Sequence, residues 1–350
     1  MHYSRPHNPT PSLEEPADRP VTIAPRHAQS GDGQTRPRAT LRSLAAVAAL
    51  GAVLGVSRVS VPAPAPAQTA LHAAAAEVPV VLSHTAQEAT PALPVADAAP
   101  EPLTVLLPSG HWYVYPRGCE TVQERRDVVI HFHGAHTTVI PRYLASGLDA
   151  VLVIINKGIG SGPYSRALAL PSQVDTMLVH VEASIQKQCH LPDASITRLA
   201  LSSWSAGYGA IQQILRLRPE RVGAVLLADG LHVGFSDEKS RTVNTQQLDV
   251  FSEFARQAAR GERLMSITHS AILPEQYASA AETALELSRA AHAPTWPVSR
   301  NRHGMVQVTE ARRGQYYVEG YQGADKAAHA QHLYSIGRTS FTRLREYWER

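Results

Sequence analysis

Charge and sulfur are both scarce in this sequence, and each shortage closes off a class of function. Lysine and arginine supply 33 of the 350 residues and aspartate and glutamate 30, for a formal net charge of +3. No Lys/Arg run stands out and the two signs are interspersed, so the charges read as solvated faces and not as a nucleic-acid surface. Only two cysteines occur, Cys119 and Cys189. No CxxC or CxxH spacing marks them as ligands of a zinc site. An oxidising compartment would allow them to bridge, and a reducing one would leave two thiols. Long apolar runs are missing too. The stretch Leu44 to Val56 is shorter than the ~20 residues a spanning helix needs. No phosphate-cradling glycine loop follows the first clear strand, so no organic cofactor is expected, and no metal.

What is present divides into four stretches. Residues 1–43 are polar, rich in Pro, Arg, Thr and Ser, and lack apolar periodicity, which predicts a disordered leader. Residues 44–67 follow Arg36, Arg38 and Arg42 with the apolar run LAAVAALGAVLGV and the small-residue site Ala65-Pro66-Ala67. A basic flank, a short apolar stretch and a cleavage-like site form the layout of a secretory signal. Export to the periplasm or the medium is the expectation, with residues 44–56 as a membrane tether if the segment is an uncleaved anchor. The long basic region and Arg58 depart from the usual layout, and a low-complexity segment that targets nothing is the other alternative. Residues 68–102, including PALPVADAAPEP, predict an extended Ala/Pro-rich linker. Residues 103–350 are long enough for one domain with a sizeable core.

In that last stretch, short apolar strands alternate with helical spacing. Strands are predicted at 127–133, 150–155, 196–202, 222–228 and 264–268, with helices at 172–188, 206–218, 245–261, 274–291 and 327–350. Residues 305–319 carry a strand or hairpin. Continuously apolar strands separated by helices mean parallel strands buried on both faces. That is an α/β doubly wound, mostly parallel sheet, with its site at the carboxyl ends of the strands.

The segment Ile196 to Gly209 runs a strand directly into a helix through Ser203-Trp204-Ser205-Ala206-Gly207. A serine on so tight a turn is lifted above the sheet, and positions two before and two after it must be small. The segment resembles the nucleophile elbow of the α/β-hydrolase family (serine esterases and lipases), usually Gly-x-Ser-x-Gly, with Ser203 in place of the first glycine. The alternative is a plain N-cap before a helix. The resemblance implies Ser205 as nucleophile. It also implies an oxyanion hole from the amides of Ala206 and of the turn His133-Gly134-Ala135, thus Gly134, Ala135 and Ala206.

The family order then asks for an acid and a histidine. Asp229 directly ends a predicted strand and is preferred over Glu275 and Asp237, although many relatives place the acid one strand later. Asp229-Gly230 can also be read as a turn. The histidine should precede the last helix, where His329 is chosen and His332, three residues on, is the reserve. His303 lies on a glycine-flanked loop and is a third candidate. A Ser-His-Asp triad cleaving an ester or related acyl bond is thereby implied, with a small-molecule or lipid acyl substrate.

Two competing readings remain. His131-Phe132-His133-Gly134-Ala135-His136 resembles the His-x-His-x-Asp-His zinc run of metallo-β-lactamase-type hydrolases, with Ala135 where the Asp should stand. The chain would then be a zinc hydrolase using His131, His133 and His136. A non-catalytic α/β-hydrolase-like binding protein is the other alternative. Neither substrate nor oligomeric state is legible at this level.

Overall fold

The computed structural model describes residues 101–119 and 125–350. The expected leader, the signal-like segment and nearly all of the linker lie outside them. The domain opens with two short strands, β1 (Leu103–Leu106) and β2 (Trp112–Tyr115), and continues through β3 (Arg125–Phe132), α1 (His136–Leu144) and β4 (Val151–Ile155). Two helices follow, α2 (Ser161–Ala167) and α3 (Pro171–Cys189), then β5 (Ser195–Trp204), α4 (Tyr208–Leu217) and β6 (Ala224–Ala228). A two-stranded hairpin of β7 (Phe235–Asp237) and β8 (Thr242–Val243) leads to α5 (Asp249–Ala259), β9 (Leu264–His269) and α6 (Ala280–Ala290). The chain closes with β10 (Thr295–Arg302), β11 (Met305–Arg313), β12 (Tyr316–Tyr321), α7 (Lys326–Ile336) and α8 (Thr342–Trp348).

Ten strands form one sheet in the order β1-β2-β4-β3-β5-β6-β9-β12-β11-β10. The six from β4 to β12 run parallel, while β1, β2, β10 and β11 pair antiparallel at the two edges. All five residues of β4, and all five of β6, are buried, as the continuous apolar runs require of central parallel strands. Helices α3 to α6 cover one face over Val174, Leu178, Ile211, Phe251 and Leu287. On the other face α1, α7 and α8 bury Tyr143, Leu333 and Leu344. Strand order reverses where β3 leads outward to β4 and β5 returns on its other side. The crevice at such a switch point is where ligands of open α/β sheets bind.

Several features depart from the predicted elements, and α1, α2, the β7–β8 hairpin and β10 are additions to them. The β1–β2 hairpin is not predicted, because strands of four residues carry too little periodicity. The helix expected from Pro274 begins only at Ala280, where Ser279 and Glu282 form a reciprocal capping box. The predicted last helix is interrupted by a wider turn over Gly337–Phe341, where the chain passes so close to the Arg142 carbonyl that a β-carbon on Gly337 would collide with it. No helix among the described residues is long and apolar enough to cross a membrane.

Cys119 and Cys189 are joined by a disulfide across a separation of 70 residues. Cross-linking a loop of that length restricts the unfolded chain by about 4 kcal/mol in the chain-entropy description. A Cys119→Ser/Cys189→Ser variant is therefore expected to lose about that much stability. The denaturant midpoint with and without reductant checks it, since reductant should move the wild type toward the variant and leave the variant unmoved.

Candidate active site

The serine turn follows from close approach of backbones. Ser205 sits at φ +49°, a left-handed conformation that a non-glycine residue adopts only under local constraint. Register places Ser203 of β5 beside Phe132 of β3 and Leu227 of β6, so the turn rises between two buried strands. A β-carbon on Gly207 would fall inside contact distance of the Phe132 carbonyl oxygen, and one on Gly230 would do the same to that of Ser205. Ser203, where the elbow pattern has glycine, is fully buried and its hydroxyl has no partner among the described residues. Only a small side chain fits there.

Asp229 ends β6 at φ +44°, its backbone N–H bonded to the Thr268 carbonyl of β9 at 2.8 Å. Both carboxylate oxygens are engaged: Oδ1 accepts from the Ser270 N–H at 2.8 Å, and Oδ2 lies 2.6 Å from Nδ1 of His329. His329 is in the first turns of α7, which Asp325 caps by accepting from the Ala328 N–H. The structure thus brings together the acid and the imidazole from segments 100 residues apart. Among the described residues the Ser205 hydroxyl makes no hydrogen bond, to His329 or elsewhere. Such contacts commonly close only when substrate is bound.

Trp204 links the pieces. Its indole N–H donates to the His329 carbonyl at 3.1 Å, and its ring lies between two imidazoles, 4.7 Å from His329 and 5.2 Å from His133. His133, at φ +69°, has its Nδ1 2.8 Å from the Tyr164 hydroxyl. Asn156 grips the turn after β3 with both ends of its amide: Oδ1 accepts from the Gly134 N–H at 3.0 Å, and Nδ2 donates to the Gly134 carbonyl at 2.9 Å. The Gly134 amide, one of the three expected oxyanion donors with those of Ala135 and Ala206, is thus engaged by Asn156. Asn156, Tyr164 and His133 as a pivot are missed in the sequence because their partners lie 22 to 31 residues away, with no local spacing to mark them.

The other candidates lie elsewhere. His332 is buried, with Nδ1 2.9 Å from Thr268 Oγ1 and its ring edge-on to Tyr321, and burial lowers its pKa to about 4. His303 sits in the β10–β11 turn, where its Nε2 accepts from Arg302. Glu275 is exposed in the loop before α6, and Asp237 accepts within its own hairpin from Lys239 and Ser240. The three histidines of the zinc reading face different partners. His131 is wholly buried, with Nε2 donating to the His133 carbonyl at 3.0 Å and Nδ1 therefore accepting from Ser202 at 2.9 Å. His136 stacks on Trp112, with ring centroids 4.2 Å apart, and His133 stacks on Trp204. No group of three His, Cys, Asp or Glu converges on a common point among the described residues.

Burial by itself pushes the Asp229 carboxyl up, but the bond to His329, the nearby His332 and the Ser270 N–H outweigh it and hold its pKa at about 2. A folded-state pKa below the unfolded one adds stability above the unfolded value, which is lost as pH falls through the folded one. Asp229 is accordingly expected to contribute about 2 kcal/mol at pH 5 that is lost progressively as the pH falls toward about 1. Urea unfolding of wild type and Asp229→Asn over that range checks this, since the variant should show a decline shallower by that amount.

No protein-family model and no curated protein matches the chain. Solved structures do. An IroE-like serine hydrolase from Shewanella oneidensis is 12% identical, covering 70% of this chain and 80% of that one at a TM-score of 0.42. The siderophore hydrolase EstB from Aspergillus nidulans is 16% identical, covering 74% and 98% at 0.37. An S-formylglutathione hydrolase from Agrobacterium tumefaciens is 12% identical, covering 71% and 94% at 0.39. Likenesses this distant carry no inference about activity. The strand order itself, with a serine turn after β5 and an acid after β6, gives the described part of the chain the α/β-hydrolase fold.

Proposed function

We propose that the chain is a serine hydrolase that cleaves an ester or related acyl bond, with Ser205 as nucleophile, His329 as base and Asp229 as its orienting acid. The observation that carries this reading is the 2.6 Å contact between Asp229 Oδ2 and His329 Nδ1, beside a serine held at positive φ. The carboxylate fixes the tautomer with the proton on Nδ1, which leaves Nε2 to accept the hydroxyl proton of Ser205. Attack on the carbonyl carbon forms a tetrahedral species whose oxyanion is met by the N–H groups of Ala206 and Ala135. Its collapse expels the leaving group, protonated by His329, and leaves an acyl-enzyme. Water, deprotonated by the same imidazole, then releases the acid and regenerates the serine. An acyl substrate, small-molecule or lipid, belongs to the same proposal. So does export, which the Cys119–Cys189 bridge supports because such bonds persist in oxidising compartments.

The test is a fluorophosphonate probe on the full chain, read by mass spectrometry of the labelled peptide, together with hydrolysis of p-nitrophenyl acetate and butyrate. Label on Ser205 and turnover indifferent to chelator are expected. Turnover that survives Ser205→Ala and falls with chelator would return the function to the His131/His133/His136 reading. A folded chain that takes no label and turns over no ester would point to a binding protein.

A further inference from the structure

Between α3 and the turn joining β1 to β2 lies a cavity of about 760 Å³ that neither Ser205 nor Asp229 nor His329 lines. Phe132 and Ile155, the last residues of β3 and β4, are part of its lining, so it reaches the same carboxyl edge of the sheet as the serine turn. Tyr113, Tyr164, Leu168 and Val181 complete a buried apolar lining. Tyr164 is shared with the serine site, since its hydroxyl contacts His133. The volume is in the range of about 300–1,000 Å³ that small-molecule sites occupy.

The lining carries two ammonium groups, Lys157 and Lys187, and the imidazoles of His111 and His180, and among the described residues no aspartate or glutamate lines it. Helix α3 sorts its charges to make this so. Asp175 and Glu182, seven residues apart and thus on one stripe, pair with Arg218 and Arg221. His180 and Lys187, also seven apart, lie on a separate stripe and line the cavity. Burial first, then Lys157 and His180, keep the His111 imidazole below its usual range, so it meets a carboxylate as a neutral N–H donor.

We infer that this cavity binds an anionic amphiphile, a long-chain carboxylate, with the carboxylate at His111, Lys157 and His180 and the chain along the apolar lining. An apolar cavity would take a hydrocarbon of any headgroup. Lysine ammonium groups with no lining carboxylate among the described residues select the anionic one. Binding here does not require Ser205 to be a nucleophile.

The experiment uses the full chain carrying Ser205→Ala, so that no acyl transfer can intervene. Fluorescence of cis-parinaric acid is titrated and then competed with dodecanoate and, separately, with dodecyltrimethylammonium. Saturable binding displaced by dodecanoate and poorly by the cation is expected. Lys157→Glu/His180→Glu, both at exposed positions, should weaken it about tenfold or more, with thermal unfolding confirming that the variant folds. Unchanged affinity in that double variant, equal competition by the cationic amphiphile, or no binding at all would each overturn the assignment. Because ester turnover is measured separately on the wild type, a catalytically silent chain that binds parinarate and an active one that does not are told apart.

Discussion

Ser205→Ala is expected to lower kcat on an activated ester by about 10⁶-fold, and Asp229→Asn by about 10⁴-fold, each with KM nearly unchanged. Under the proposed mechanism the serine variant removes the atom that forms the acyl-enzyme. The asparagine variant keeps the shape of the acid but ends the selection of tautomer. An amide that still accepts at Oδ1 from Ser270 can turn its NH2 toward Nδ1 of His329, which must then accept and carry its proton on Nε2. An imidazole so held cannot take the proton of Ser205. Members of such a unit act together, so the double variant should be no slower than Ser205→Ala alone. Steady-state kinetics with active-site titration on the three proteins decide it. An Asp229→Asn enzyme within tenfold of wild type would remove Asp229 from its role and reopen the choice of acid.

Gly207→Ala is expected to destabilise the fold by about 3 kcal/mol, the upper end of what overpacking usually costs. The added methyl meets the carbonyl of Phe132, at the end of a strand paired on both sides with β4 and β5. Backbone so held cannot step aside as a flexible side-chain tip would. Gly223→Ala is the matched control, because a β-carbon there would meet only the Leu199 carbonyl oxygen at 3.6 Å, an ordinary contact. It should change stability by less than about 1 kcal/mol. Urea midpoints of the two variants test the difference, and equal losses would mean that β3 and the elbow can separate more easily than their register implies. What folded Gly207→Ala protein remains should also react slowly with a fluorophosphonate, since the methyl displaces the turn that presents Ser205.

The sequence makes the sheet legible because central parallel strands are local events. Val128 to Ile130, Val151 to Ile155 and Ala224 to Ala228 are continuously apolar, and burial on both faces asks for nothing else. The edges are harder to read. Strands β1 and β2 have only four residues each, and β10 is almost wholly exposed, so none carries a clear apolar run, and each pairs with a neighbour through a ladder of hydrogen bonds. The turn after β5 is legible for the same local reason as the strands: small residues at fixed offsets between a buried strand and a helix can serve little else.

The sequence by itself determined the alternation of strands and helices, the tight serine turn and a short roster of acids and imidazoles, since each follows from neighbours within a few residues. Tertiary structure alone decided which of them meet. It put His329 rather than His332 against Asp229, because one turn of α7 separates a ring at the crevice from one buried on Thr268. It engaged the Gly134 amide by turning Asn156 onto it, and it sent His131, His133 and His136 to three different partners. The physical reason is the same throughout. Hydrogen bonds and stacking act over a few ångströms, and residues 22 to 100 positions apart come within that range only after the sheet has assembled.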